Sequence, residues 1–240
     1  MKLRLVVLAV AVLIAWGLKR HYADARAEDL AWILAPTSRL AGAMAGTTFV
    51  LQPGEGYFSR EHLFVIAKPC AGINFMVAAF GMLVLALLHH VGSPASAARV
   101  LGASLVASYG AAVLVNAARI VVALWLAAHP IGSPALGAAE VHRLEGITVY
   151  FGGLVLLYEL VRWLDRRGQA FHPAALPLAS YYAITLALPV AGGVPLSGAF
   201  LEHAPIVLLV PLLVVLGACA VRAAAARWLH FANPRSRGPV

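Results

Sequence analysis

Long apolar runs separated by short polar breaks dominate this chain. The first, "LVVLAVAVLIAWGL" (5–18), stands behind Lys2 and Arg4. Later runs occupy 72–91, 98–117, 144–164, 174–190 and 205–222. Several approach the roughly 20 helical residues that span a hydrocarbon core. The pattern predicts six membrane spans with both termini on one side. Another apolar stretch, "IVVALWLAA" (120–128), is too short to be a seventh. Its nine residues rise only about 14 Å as helix. It is expected as an outer-face helix, re-entrant or lying in the interface, the alternative being a tilted continuation of the preceding helix.

Between the first two runs lies the most polar part of the chain. "EDLAWILAPTSRLAGAMAG" is amphipathic, and Arg39 interrupts it. Since a spanning helix would have to bury that arginine, an interfacial helix is expected. Beyond it, "TTFVLQPGEGYFSREHLFVIAKP" carries two β-rich runs around a Pro/Gly turn region. This predicts a β-hairpin near 47–67, with "TTFVL" pairing antiparallel with "LFVIA" outside the membrane. The chain thus divides into a signal anchor or first transmembrane helix (1–22) and an extracytoplasmic segment of helix and hairpin (23–70). A transmembrane core (71–165), two further transmembrane helices (166–222) and a basic cytoplasmic tail (223–240) complete it. "ADA" at 23–25 resembles a signal-peptidase site, but Lys19 to Tyr22 separate it from the apolar run, so a retained anchor is expected.

Composition supports the same class. Of 240 residues, 62% are hydrophobic and 12% charged, with a mean hydropathy of +0.85. A soluble domain would carry about twice that charge. The fold class expected is an all-α polytopic membrane protein with a small extracytoplasmic hairpin, its first partner the lipid bilayer. The net charge of +8 does not point to nucleic acid, because no basic face alternates with aromatics. Six spans instead put Lys2, Arg4, Arg99, Arg162, Arg166, Arg167, Arg222, Arg227, Arg235 and Arg237 on one side. The positive-inside rule makes that side cytoplasmic.

Two cysteines, Cys70 and Cys219, are too few for a disulfide framework. The topology sets them near opposite faces, so no bridge is expected. Cys219, in "PLLVVLGACAV", is expected to be a buried, inert thiol. Cys70 has more interesting company. It falls two residues before the span at 72, His142 falls two before the span at 144, and Arg119 falls just past the outer end of the span starting near 98. Arg99 to Arg119 as helix rises about 30 Å, so all three lie at one depth.

Cysteine, arginine and histidine at one depth fit nucleophilic acyl transfer. The thiolate is the nucleophile, and a nearby cation favours it. Arginine also offers donors for an oxyanion, and histidine can shuttle the proton. A helix starting at Gly72 brings its positive end near the sulfur. Asn116 and Glu145 are candidate neighbours of Arg119 and His142, and Arg143 a candidate for a substrate carboxylate. "HH" at 89–90 has no Cys or Asp beside it and is not read as a metal site. No cofactor and no metal are expected. A non-enzymatic membrane scaffold, for instance in exopolysaccharide export, or a transporter are the alternatives.

Three blocks sharpen the choice. "PCAGINF" (69–75), "NAARI" (116–120) and "HRLEGITVYFGGLVLLY" (142–158) resemble the signature motifs of the exosortase/archaeosortase family, in family order. The third block and the short length look closest to the subfamily called exosortase K. The resemblance covers roughly 47–165. It implies a membrane-embedded cysteine transpeptidase of the bacterial inner membrane, with its active site on the periplasmic face. The implied substrates are secreted proteins bearing a C-terminal sorting signal of the PEP-CTERM type. It also implies Cys70 as nucleophile, with Arg119 and His142 as its catalytic partners.

Overall fold

The computed structural model describes residues 1–129, 137–165, 174–192 and 197–232. The chain is mostly α-helical. Helix α1 spans Lys2–Asp24 and α2 spans Ala31–Ala45. Three short strands follow: β1 (Val50–Gln52), β2 (Gly56–Ser59) and β3 (Phe64–Ile66). A 3₁₀ turn, Lys68–Ala71, leads into α3 (Ile73–Leu87) and a second one, Leu88–His90, ends it. The long helices α4 (Pro94–Ala128) and α5 (Ala138–Leu164) come next. Then come α6 (Ala175–Tyr182), a π-helical turn (Ala183–Ala187), α7 (Leu188–Ala191) and α8 (Gly198–Ala232).

Four described helices are long and apolar enough to cross a membrane: Lys68–His90, Pro94–Ala128, Glu140–Leu164 and Phe200–Ala220. Helical residues Ala175–Ala191 form a shorter apolar stretch. Arg166, Arg167, Arg235 and Arg237 lie outside the described residues, as does 233–240 of the predicted basic tail, while α8 runs on beyond 222 to Ala232.

Helix α3 is the hub. It is apolar on nearly every face and buries Phe75, Met76, Val77, Ala79, Phe80, Met82 and Leu83, as a helix at the centre of a bundle must. It packs against α1, α4, α5 and α6. Helix α1 contributes Val7 and Ala11 to a cluster with Phe80 and Val84 of α3. Its other side leaves Leu5, Val6, Val12, Leu13 and Trp16 exposed, a face that suits lipid.

The stretch 120–128 is not a separate outer-face helix; it continues α4 without a break. "SPAS" starts this helix. Ser93 caps it, its Oγ accepting from the Ser96 amide at 3.2 Å while Ser96 Oγ accepts from the Ser93 amide at 2.9 Å, and Pro94 sits in the first turn. Nothing from Arg99 to Ala128 breaks it, since the next proline is Pro130. Asn116, Ala117, Ile120, Ala123 and Leu124 form one buried stripe, so the face that packs before Arg119 continues after it. Arg119 therefore lies inside a helix rather than at its outer end, and the depth estimate that rested on that end falls away.

The predicted hairpin is instead a three-stranded antiparallel sheet of order β1-β2-β3. "TTFVL" and "LFVIA" do not pair with each other. Each pairs with "GYFS", in registers Leu51–Tyr57 and Phe58–Val65. The residues read as one turn region are long enough for two turns around a strand, and Tyr57 and Phe58 favour extended backbone. The second turn holds Leu63 at a φ of 50°. Cys219 also departs from expectation: it is exposed on α8 rather than buried. That helix turns apolar side chains such as Leu209, Leu213 and Leu216 outward, so an apolar neighbourhood in sequence does not mean burial within the chain.

Helix α2 is amphipathic as expected, burying Ile33, Leu34, Thr37, Ser38 and Ala41 with Arg39 exposed. Pro36 lies inside it and has no N–H to give the Trp32 carbonyl one turn back. Tyr109 of α4 takes that acceptor, its hydroxyl donating to Trp32 O at 2.8 Å while the two rings stack at 5.9 Å. Tyr109→Phe keeps the stacking and removes the donor. It should lower stability by about 0.5–1 kcal/mol, read as an earlier unfolding midpoint in detergent, and an unchanged midpoint would show that the bond contributes nothing.

Candidate functional site

Cys70 is the third residue of the 3₁₀ turn that delivers the chain from β3 to α3. Its amide donates to Ala67 O at 2.8 Å. Gly72, two residues on, is the N-cap of α3 with φ +68°, a left-handed conformation natural to glycine. A Cβ there would lie 3.4 Å from the Asn116 side chain. Cys70 thus sits against the start of a helix, as the sequence implied, and the glycine of "CAG" brings the turn up against α4.

Asn116 is fully buried on α4. Its amide nitrogen donates to the Cys70 carbonyl. Its Oδ1 accepts from the Tyr150 hydroxyl at 2.9 Å, and that hydroxyl accepts from Arg119 Nη1 at 3.3 Å. The Arg119 guanidinium also lies over the Tyr150 ring, 5.1 Å from its centroid. From Arg119 to the Cys70 carbonyl, each group donates to the next.

The far side of Arg119 meets α5. Nη2 lies 3.0 Å from His142 Nε2. A guanidinium only donates, so Nε2 accepts and the neutral imidazole carries its hydrogen on Nδ1. Nδ1 lies 3.6 Å from Glu145 Oε2, which is also 3.6 Å from Arg119 Nε. At those separations Glu145 lies in electrostatic contact with Arg119 and faces the imidazole without a hydrogen bond to either. Gly146 makes room for the guanidinium, since a Cβ there would lie 3.1 Å from Arg119 Nε. Exposure falls steeply across the group: the side chains are 54% exposed at His142, 14% at Arg119 and 4% at Glu145. The imidazole faces outward while the carboxylate is enclosed beneath it. Arg119 and Glu145 both lie within electrostatic range of the Cys70 thiol.

Of the residues chosen from sequence, Asn116, Arg119, His142 and Glu145 therefore join in one cluster, and Asn116 ties it to the backbone carbonyl of Cys70. His142 reaches it from within α5, whose first residue is Ala138, and not from a position ahead of that helix. Arg143 is half-buried and makes no hydrogen bond or ion pair to the cluster among the described residues. Tyr150 was missed. Its signal was present: a phenol within the apolar run "GITVYFGG", eight residues after His142 and so two helical turns along the same face. The reading of His89 and His90 also needs correction. They do have an acidic partner, Asp165, with Oδ2 2.9 Å from His89 Nε2 and 3.2 Å from His90 Nε2. Separation in sequence hid it, because Asp165 caps α5 while the histidines lie in the turn that ends α3. A crevice of about 60 Å³ opens beside the Cys70 turn, lined by Tyr22, Pro69, Gly72, Asn74 and Tyr150. Among its lining residues, Asn74 accepts at Oδ1 from Lys19 Nζ at 2.7 Å.

No family model, curated protein or solved structure matches this chain.

Two substitutions test the cluster. Asn116→Asp replaces the donor facing the Cys70 carbonyl with an acceptor, so the turn should release from α4 at a cost of about 1–3 kcal/mol. Maleimide labelling of Cys70 in a Cys219→Ser background should quicken as the turn loosens. Gly72→Ala forces a side chain into the left-handed region, with a penalty of about 1–2 kcal/mol, and should lower the unfolding midpoint.

Proposed function

We propose that the chain is a membrane-embedded cysteine peptidase and transpeptidase that cleaves C-terminal sorting signals of secreted proteins. This places it in the exosortase/archaeosortase family, nearest exosortase K. The observation that carries the reading is the meeting of three separate motif blocks: "CAG" on the turn before α3, "NAAR" on α4 and the His142 block on α5 contribute to one hydrogen-bonded and electrostatic cluster. Polar side chains buried in so apolar a chain are expensive to keep and mark function.

The cluster offers a role for each member. The Cys70 thiolate attacks the scissile carbonyl, a C–S bond forms, the C–N bond breaks and a thioester remains. The thiol proton passes by way of His142 Nε2 to the departing amine. For this, Nε2 exchanges Arg119 for the thiol, which frees Arg119 Nη2 to meet the oxyanion. Arg119 keeps its second hold on Tyr150 throughout, so the guanidinium stays aimed. Glu145 faces the Nδ1 side of the imidazole and favours its protonated form during the transfer. An incoming amine or water then attacks the thioester and releases Cys70. The chemistry requires no cofactor.

In this reading α1 and the Ala175–Ala191 segment join the four longer helices to make six spans in a bacterial inner membrane. The termini are cytoplasmic. The sheet and the Cys70 turn face the periplasm, where a secreted substrate's signal would stand in the bilayer beside α3 and α5.

The test is processing of a tagged sorting-signal substrate in cells carrying each variant. Cys70→Ala should abolish cleavage and the acyl-enzyme, and Cys70→Ser should be nearly inactive. Arg119→Lys keeps the charge but loses the paired donors and should fall by about 10²-fold or more. His142→Ala should leave the thiol alkylatable while slowing turnover. Normal processing by Cys70→Ala would refute the enzyme and leave a scaffold as the better description.

A further inference from the structure

The opposite ends of α3 and α5 carry a second polar cluster. His89 and His90 lie in the 3₁₀ turn that ends α3, and Asp165 is the C-cap of α5. About 22 Å of α3 separates them from the Cys70 turn. One ligand atom from each residue lies within 4.8 Å of the other two.

The hydrogen bonding makes this more than an ion pair. His89 Nδ1 lies 3.0 Å from the Ala86 carbonyl. A carbonyl only accepts, so Nδ1 holds the proton and neutral His89 presents a lone pair at Nε2. That lone pair faces Asp165 Oδ2 at 2.9 Å, an arrangement that is repulsive unless something positive lies between. His90 Nε2 converges on the same oxygen at 3.2 Å. The two imidazole centroids lie 4.0 Å apart, so both rings bring Nε2 to one carboxylate oxygen. A single divalent cation relieves all three contacts. A backbone carbonyl fixing the tautomer of a ligating histidine is also a recurring outer shell of metal sites.

The surroundings favour a cation too. Two helix C-termini, the negative ends of their dipoles, meet here. Arg4 stays turned toward the backbone, its Nη2 on His89 O at 3.4 Å and its Nε on Val91 O at 3.5 Å, and approaches none of the three ligand atoms in these bonds. Tetrahedral zinc, with bonds of about 2.0–2.1 Å, spaces its ligands about 3.3–3.4 Å apart. The observed 2.9 and 3.2 Å need to open by only a few tenths of an ångström. Asp165 is 9% exposed while the histidines are 39% and 35% exposed, so water can reach a fourth position.

We propose that His89, His90 and Asp165 form a divalent-cation site of the zinc class that clamps the ends of α3 and α5 remote from Cys70. Two nitrogens and one carboxylate oxygen suit zinc better than calcium or magnesium, which take oxygen ligands. The site depends on neither the cysteine chemistry nor the family reading.

The experiment is zinc binding by the untagged full-length chain in detergent, using equilibrium dialysis and elemental analysis. The wild type should hold about one zinc per chain and unfold at a higher temperature with zinc than with chelator. His89→Ala and Asp165→Asn should each weaken binding at least tenfold, while Cys70→Ala and His142→Ala bind as the wild type does. On the wild type itself, zinc should protect His89 and His90 from diethyl pyrocarbonate, read by mass spectrometry, so the proposal stays testable if a variant misfolds. Failure to bind zinc, binding undiminished in His89→Ala and Asp165→Asn, or unprotected histidines would overturn it and leave a protonated histidine on Asp165.

Discussion

The hydrogen bond from the Asn116 amide to the Cys70 carbonyl is the contact on which the site depends. It joins the middle of a long helix to an irregular turn, with Asn116 fully buried and Cys70 half-buried. An amide has a donor end and an acceptor end. The Cys70 carbonyl claims the first and Tyr150 the second, so Asn116 has one orientation. Tyr150 in turn donates to Asn116 and accepts from Arg119. The chain of donors runs one way, from a permanent cation to the backbone of the turn that holds the thiol, and successive bonds in such a chain polarise one another.

Helix α3 makes that arrangement possible by being apolar and buried on nearly all sides. With nothing polar to satisfy along its length, its neighbours pack closely, and polar chemistry is confined to its two ends. The turn before it carries Cys70, and the turn after it carries His89 and His90. Helix α5 runs beside it with His142 and Glu145 near one end and Asp165 at the other. Two polar clusters joined by an apolar pair of helices are what a bilayer-spanning body permits, because charges at mid-depth would lack both water and partners.

The prediction of residues 120–128 as a separate outer-face helix failed for an instructive reason. A stretch of that length is too short to span the bilayer alone, but hydropathy does not say whether a helix ends. The stripe Asn116, Ile120, Ala123 and Leu124 says that it continues, and the nearest breaker comes only at Pro130. The sheet failed in a similar way. Two β-rich runs were legible at 47–51 and 63–67, yet strand pairing is a matter of register across space, and "GYFS" between them took both partners.

Some features follow from composition and local pattern. Apolar runs of spanning length, the capping box at Ser93, the break at Pro69 to Gly72 and the outward position of Arg39 all depend on neighbours within a turn or two. The candidate site was legible as residue types in order: a cysteine before an apolar helix, an arginine three residues after an asparagine, a histidine heading a glycine-containing run. Their meeting was not, because it depends on which faces of α3, α4 and α5 pack together. Tyr150 and Asp165 stayed hidden on the same account. Each looks ordinary in sequence and acquires its role only from a partner at least 31 residues away, on another element. Local sequence sets which residues can form helices; only the packing of those helices decides which polar side chains share a buried space, since hydrogen bonds and charges act over a few ångströms.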